Sequence, residues 1–300
     1  VNGKAIMMEG LSKYYGRNRG IERIDLEVPE GEIFGFIGPN GAGKTTTIRT
    51  LLNLIFPTAG RAEIFGRDVV RHGPEIRRSI GYVPSEVKYY PTMRVKELLA
   101  YSAALNGVTD LRRASAIAEQ LALDTSRRID ELSSGNAKKV ALVQSMLHSP
   151  RLLLLDEPTN GLDPLVQYRF SELLREENAR GVTVFLSSHV LGEVQRLCRS
   201  VAIIKEGRIL TSEDVATLRQ KRLRKVSFTC PRPPAPADFP SGKAQELIRE
   251  GESVRFLYAG DSNTLVRELA SFDIHQLRIE EPSLEEVFMH YYGSAKGEET

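Results

Sequence analysis

Gly38-Pro39-Asn40-Gly41-Ala42-Gly43-Lys44-Thr45 reads as G-x-x-x-x-G-K-[ST], and its place in the chain matters as much as its letters. Upstream lies the apolar run Ile33–Ile37, with strand character; downstream a helical pattern opens at Lys44 and runs to about residue 54. Glycines let successive amides curl around phosphate oxygens without Cβ obstruction, and a helix N-terminus adds unpaired amides and a positive dipole end. Lys44 then reaches β- and γ-phosphates, and the Thr45 hydroxyl is placed to ligate Mg²⁺. A glycine-rich turn with an incidental lysine is the plainer alternative, and the strand–loop–helix context speaks against it.

Working outward, Ile24, Leu26 and Val28 alternate as a strand does. Short apolar runs recur at 152–155 and 182–186, between helical patterns near 136–148, 164–179 and 190–198. Short apolar strands separated by amphipathic helices predict an α/β fold whose sheet is buried on both faces. The 152–155 run exits into Asp156 and Glu157. At a strand's carboxyl end beside a phosphate loop, Asp156 suits holding Mg²⁺ through water and Glu157 suits polarising an attacking water. Kinases, GTPases, helicases and transport ATPases all remain open at this point.

Leu132-Ser133-Ser134-Gly135-Asn136 narrows the field, because it opens a helix that runs directly into the 152–155 strand. With it the sequence resembles the nucleotide-binding subunit of an ABC transporter, whose signature is usually written L-S-G-G-Q. Ser134 and Asn136 depart from that pattern, while Ser133 and Gly135, the phosphate-facing pair in the family, are kept; Ser133 alone would equally suit a helix N-cap. The resemblance covers about residues 4–220. It implies that Tyr15 stacks on adenine, that Gly38 through Thr45 with Thr46 hold the nucleotide of ATP, and that Asn160-Gly161-Leu162-Asp163 forms the D-loop, with Asp163 near nucleotide. It further implies that His189, after Ser187-Ser188, contacts the γ-phosphate, and that Lys44, Glu157 and His189 are the catalytic set, with Thr45 and Asp156 at the metal. After Gly81-Tyr82-Val83-Pro84 the family carries a glutamine that touches Mg²⁺; here Ser85 is too short for that reach. Either water completes the metal shell or Glu86 leans in. Water is favoured, since a carboxylate facing the γ-phosphate is repelled.

The implied architecture is a P-loop NTPase domain of ABC type over 1–220, with a helical subdomain at about 86–150, plus a small α+β domain over 221–300. Two such domains would sandwich two ATPs head to tail, as a homodimer or heterodimer, and a groove near 85–101 would drive a separately encoded polytopic membrane permease. Tyr89 and Tyr90 are candidate exposed contacts there, or ordinary packing at a helix start. Localisation follows as peripheral, on the cytoplasmic face of the cell membrane. The stretch 231–240 holds five of the fifteen prolines, so it is neither helix nor central strand and reads as a linker, with a long loop as the alternative. Beyond it, 253–258 and 273–279 read as strands, and 262–270 and 283–292 as helices. Glu281-Pro282-Ser283-Leu284-Glu285-Glu286-Val287-Phe288 resembles an ending common in ABC exporter ATPases. Its apolar face, Leu284, Val287, Phe288 and Tyr291, packs within the small domain or dimerises. Arg219–Lys225 carries five positive charges, read as a solvated helix end rather than a lipid-headgroup contact.

Composition agrees. At 300 residues, two domains are expected, and 41% hydrophobic content rules out disorder as a whole-chain state. Forty-one Lys+Arg against 39 Asp+Glu leave +2, too weak a field for a dedicated nucleic-acid binder, so no nucleic acid is expected as partner. Cys198 and Cys230 read as reduced thiols. No apolar run approaches the ~18–20 residues that span a bilayer, and no signal peptide is expected. The alternatives are a soluble ABC ATPase of DNA repair or translation, disfavoured by a single phosphate loop and no heptads, and a nucleotide-binding regulator without turnover, disfavoured by Glu157 and His189.

Overall fold

A computed structural model describes residues 3–220 and 223–280, and the chain divides into two compact units, 1–212 and 213–300. In chain order, the first part runs β1 (Lys4–Tyr15), β2 (Asn18–Pro29), β3 (Ile33–Ile37), α1 (Lys44–Leu51), β4 (Ala59–Ile64), β5 (Arg67–Asp68), α2 (Gly73–Arg78) and β6 (Ile80–Val83). It continues through α3 (Val95–Leu105), α4 (Arg112–Gln120), α5 (Ser134–Met146), β7 (Leu152–Asp156), α6 (Pro164–Ala179), β8 (Thr183–Ser188), α7 (Leu191–Leu197), β9 (Ser200–Lys205) and β10 (Arg208–Asp214).

Two sheets share one core. An antiparallel sheet has the order β2-β1-β4-β5, and a six-stranded sheet the order β10-β9-β3-β8-β7-β6, in which β9, β3, β8, β7 and β6 run parallel. Every residue of β3, β7 and β8 is buried, which is why those strands read as unbroken apolar runs rather than alternating ones. Ile6, Met8, Ile24 and Leu26 from the antiparallel sheet meet Ile48 and Leu51 of α1 and Phe34, Phe36, Leu154 and Phe185 of the parallel sheet. Each such side chain contributes about 1.5–3 kcal/mol by leaving water. The order β3-β8-β7 decides the site: Ile37 lies beside Ser188 and Asp156 beside Ser187, so three carboxyl ends open on one edge.

Between β6 and β7 the span expected as helical carries α3, α4 and α5, while residues 86–94 form no helix. Tyr89 is not an exposed contact. It is half-buried and donates its hydroxyl to Gln144 Oε1 at 2.6 Å, and burial pushes its phenol above the usual tyrosine range. Tyr90 is exposed. Among the described residues, no helix is long and apolar enough to cross a membrane.

The second unit carries α8 (Val215–Gln220), β11 (Leu223–Thr229), β12 (Ala244–Glu250), β13 (Ser253–Ala259), α9 (Ser262–Leu269) and β14 (His275–Glu280), with the antiparallel order β12-β13-β11-β14. Val226, Phe228, Val254, Phe256 and Tyr258 pack with Leu265 and Leu269 of α9 as its core. The proline-rich stretch is not a linker between units: it connects β11 to β12 inside this one. Its prolines cannot donate to a ladder, yet Phe239 is buried with its ring 4.8 Å from that of Phe256, so the stretch is pinned by one aromatic. The helix expected at 283–292, with its apolar face, lies outside the described residues, as does part of the basic run at 219–225. Cys198 and Cys230 are free and buried.

Candidate active site

The loop between β3 and α1 closes on its own lysine. Gly43 takes φ 111°, a region that residues with a Cβ rarely adopt, and this turns the chain into α1 with Lys44 as first helical residue. Lys44 Nζ donates to the carbonyls of Gly38 at 2.6 Å and Pro39 at 3.1 Å and stands 3.0 Å from Glu157 Oε1. Thr45 Oγ1 donates to Asp156 Oδ2 at 2.7 Å, and Ser187 Oγ donates to Asp156 Oδ1 at 2.7 Å, so both oxygens of a fully buried carboxylate are held.

Glu157 is the strained member. Its φ is 49°, left-handed for a residue with a side chain, a conformation that costs about 1–2 kcal/mol and persists only where neighbours impose it. Its amide donates to Ser187 O and Ser187 Oγ, each at 3.2 Å. Its Oε2 lies 2.8 Å from His189 Nδ1. A carboxylate only accepts, so Nδ1 carries the proton and Nε2 is left for another partner.

A cleft of about 500 Å³ is lined by the expected Tyr15, Pro39, Asn40, Gly41, Gly43, Lys44, Thr45, Thr46 and Glu157, and also by Arg19, Gly20, Ser85, Glu86 and Asn160. Gly38 and Ala42 are buried beneath it, where Ala42 O accepts from Gly207 N at 2.8 Å. Asp156 reaches it through Thr45, and His189 through Glu157. Three expected residues are not brought to it. Ser133 caps α5, accepting from Asn136 N at 3.3 Å, and Asp163 caps α6, accepting from Val166 N at 3.0 Å. Gly135 abuts the loop after β7, where a Cβ would stand 2.6 Å from Gly161 O.

Several partners have no local signal in the sequence. Arg19 reaches the rim because the β1–β2 register sets it opposite Tyr14, next to Tyr15. Lys138 of α5, 4% exposed, donates to the carbonyls of Pro84 at 2.9 Å and Ser85 at 2.8 Å. Burial pulls its ammonium below the usual lysine range, and the charges of Asp156 and Glu157 oppose that pull. Ser187 was legible only as a neighbour of His189.

A phosphate loop, a strand-end Asp–Glu pair and a histidine on that glutamate, on adjacent parallel strands, agree with the comparisons. The ABC transporter family model matches residues 21–160. The bacitracin transport ATP-binding protein BcrA of Bacillus licheniformis is 36% identical over 221 residues, covering 73% of this chain and 72% of that protein. This chain belongs to the ABC transporter family. The ABC transporter ATP-binding protein YhaQ of Bacillus subtilis, whose function is uncharacterized, is 29% identical over 316 residues and aligns with 96% of this ABC subunit and 99% of its own length. A solved ATP-binding subunit of an ABC transporter superposes with a TM-score of 0.67 at 31% identity, covering 72% of this chain and 92% of that one. The chain is thus an ATP-binding subunit and an ATPase of the ABC type.

Proposed function

We propose that this ABC ATPase powers export of a substrate through a separately encoded polytopic membrane permease, bound peripherally at the cytoplasmic face of the membrane. Two likenesses favour export: that of the chain to a relative named for Nod factor export, 34% identical over 209 residues, and that of 281–288 to exporter ATPases. The observation that carries the ATPase mechanism is the contact of Glu157 with both Lys44, at 3.0 Å, and His189, at 2.8 Å.

The residues present fit Mg²⁺. Thr45 and Asp156 offer hard oxygens held 2.7 Å apart at the mouth of the phosphate loop, the donor type that Mg²⁺ takes beside phosphate oxygens. When bound, the ion would neutralise charge on the β- and γ-phosphates. The chain's own residues do the rest. Lys44 leaves Glu157 for the phosphates, the loop residues Asn40, Gly41 and Gly43 with Lys44, Thr45 and Thr46 offer their backbone amides to the triphosphate, and Tyr15, half-exposed at the rim, stacks on adenine. Glu157 orients the water in line with the γ-phosphate, and His189 contacts that phosphate. Catalysis is positioning and charge neutralisation.

Ser133, Gly135 and Asp163 lie outside the cleft of their own chain, which favours a head-to-tail dimer in which they serve the partner's nucleotide, whether that partner is a second copy or a related subunit. Purification of the full chain from membranes tests the assignment. A polytopic membrane protein is expected to copurify and to raise ATPase activity; copurification with ribosomes or nucleic acid instead contradicts it.

A further inference from the structure

Behind the Glu157–His189 pair sits a buried carboxyl group that the mechanism above does not use. Glu193, in the first turn of α7, is 5% exposed. Its Oε2 accepts from Thr159 Oγ1 at 3.1 Å and from Ser188 Oγ at 3.0 Å. Thr159 stands two residues after Glu157, and Ser188 one residue before His189. Ser188 Oγ also accepts from Val190 N at 2.9 Å, so one hydroxyl holds the backbone on both sides of His189. A single oxygen of Glu193 therefore gathers the two strand exits that carry the pair.

We infer that Glu193 is a positioning residue that fixes the Glu157–His189 geometry by tying the exits of β7 and β8 to α7. The inference rests on the reading of Glu157 and His189 given above. Glu193 touches neither the cleft nor the reacting atoms. Packing alone does not account for a carboxyl group here: its Oε1 has no hydrogen-bond partner among the described residues, and burial pushes its pKa up, a desolvation cost that an apolar side chain of similar volume would not carry. What the carboxyl group adds is an acceptor for two hydroxyls. The restraint has work to do, because Glu157 holds a left-handed φ of 49° that it does not favour by itself.

Steady-state ATPase activity and nucleotide binding of the full chain with Mg-ATP test this. Glu193→Ala should lower kcat roughly 10–100-fold, the scale of a small misplacement of reacting groups, with the ATP dissociation constant within about threefold of wild type. Glu193→Gln keeps the carbonyl acceptor and should recover most of kcat, even with a lower Tm. In a His189→Ala background, adding Glu193→Ala should remove little more, since both changes disable the same pair. If Glu193→Ala does not fold, Thr159→Val combined with Ser188→Ala removes both donors with little change of volume and should show the same loss. Unchanged kcat in either variant, a Gln variant as slow as the Ala variant, or a full additional loss in the His189→Ala background would each overturn the inference. Turnover retained in both Glu157→Gln and His189→Ala sinks the reading of the site itself. Turnover lost there but kept in Glu193→Ala sinks this inference alone.

Discussion

Lys44 Nζ lies 3.0 Å from Glu157 Oε1, and the two side chains are among the few charged groups buried among the described residues. The lysine that would meet phosphate and the carboxylate that would orient water neutralise each other. On the roles proposed for them, an incoming γ-phosphate would compete with Glu157 for Lys44 and would set the carboxylate free. Binding of ATP and arming of Glu157 would then be one event.

Lys44→Ala removes the phosphate partner and leaves Glu157 buried without its cation. We expect ATP affinity to fall at least about tenfold, the loss of one charge-assisted contact worth ~1.5–3 kcal/mol, with turnover near background. Titration with a fluorescent ATP analogue measures the first and phosphate release the second.

His189 touches Glu157 through Nδ1 and has Nε2 left for the γ-phosphate. His189→Ala should reduce kcat by about 10²-fold or more, as loss of a transition-state contact does, while ATP binding changes little. A matched loss of ATP affinity would instead give His189 a ground-state role.

Ser85 lines the cleft with Glu86, and its side chain is shorter than the glutamine that the family resemblance implies there. Ser85→Gln should lower the Mg²⁺ concentration for half-maximal ATPase. An unchanged titration would show that the position does not contact the metal shell.

Lys138 makes two of its three possible hydrogen bonds to the carbonyls of Pro84 and Ser85. Lys138→Met leaves both carbonyls without their donor and should destabilise the fold by about 1–3 kcal/mol in denaturant unfolding, with Lys138→Arg recovering part of it. Stability equal to wild type would mean that water replaces the ammonium freely.

Local chemistry made the phosphate loop legible: its glycine spacing and its lysine act within eight residues of one another, and neighbouring strands only had to align it. Asp156 and Glu157 were legible for a similar reason, since a fully buried parallel strand must read as an apolar run and its end is conspicuous. Lys138, Ser187 and Glu193 were not, because their partners are distant in sequence; Lys138 meets Ser85 across 53 residues and Glu193 meets Thr159 across 34. Ser133 and Asp163 show the reverse. Their residue types fit both a helix N-cap and a nucleotide contact, and within one chain only the cap is made. Proline count misled at 231–240, since it reports on backbone donors and says nothing of where the Phe239 ring goes.

The most direct test of the account is Glu157→Gln in the full chain, assayed for ATP binding, phosphate release and sedimentation with Mg-ATP. The substitution keeps the side chain's shape, removes the base that orients water and frees Lys44 from its ion pair. ATP should bind at least as tightly as in wild type, turnover should fall by about 10²-fold or more, and the chain should accumulate as an ATP-bound dimer. Turnover at the wild-type rate would contradict the central claim that Glu157 prepares the attacking water.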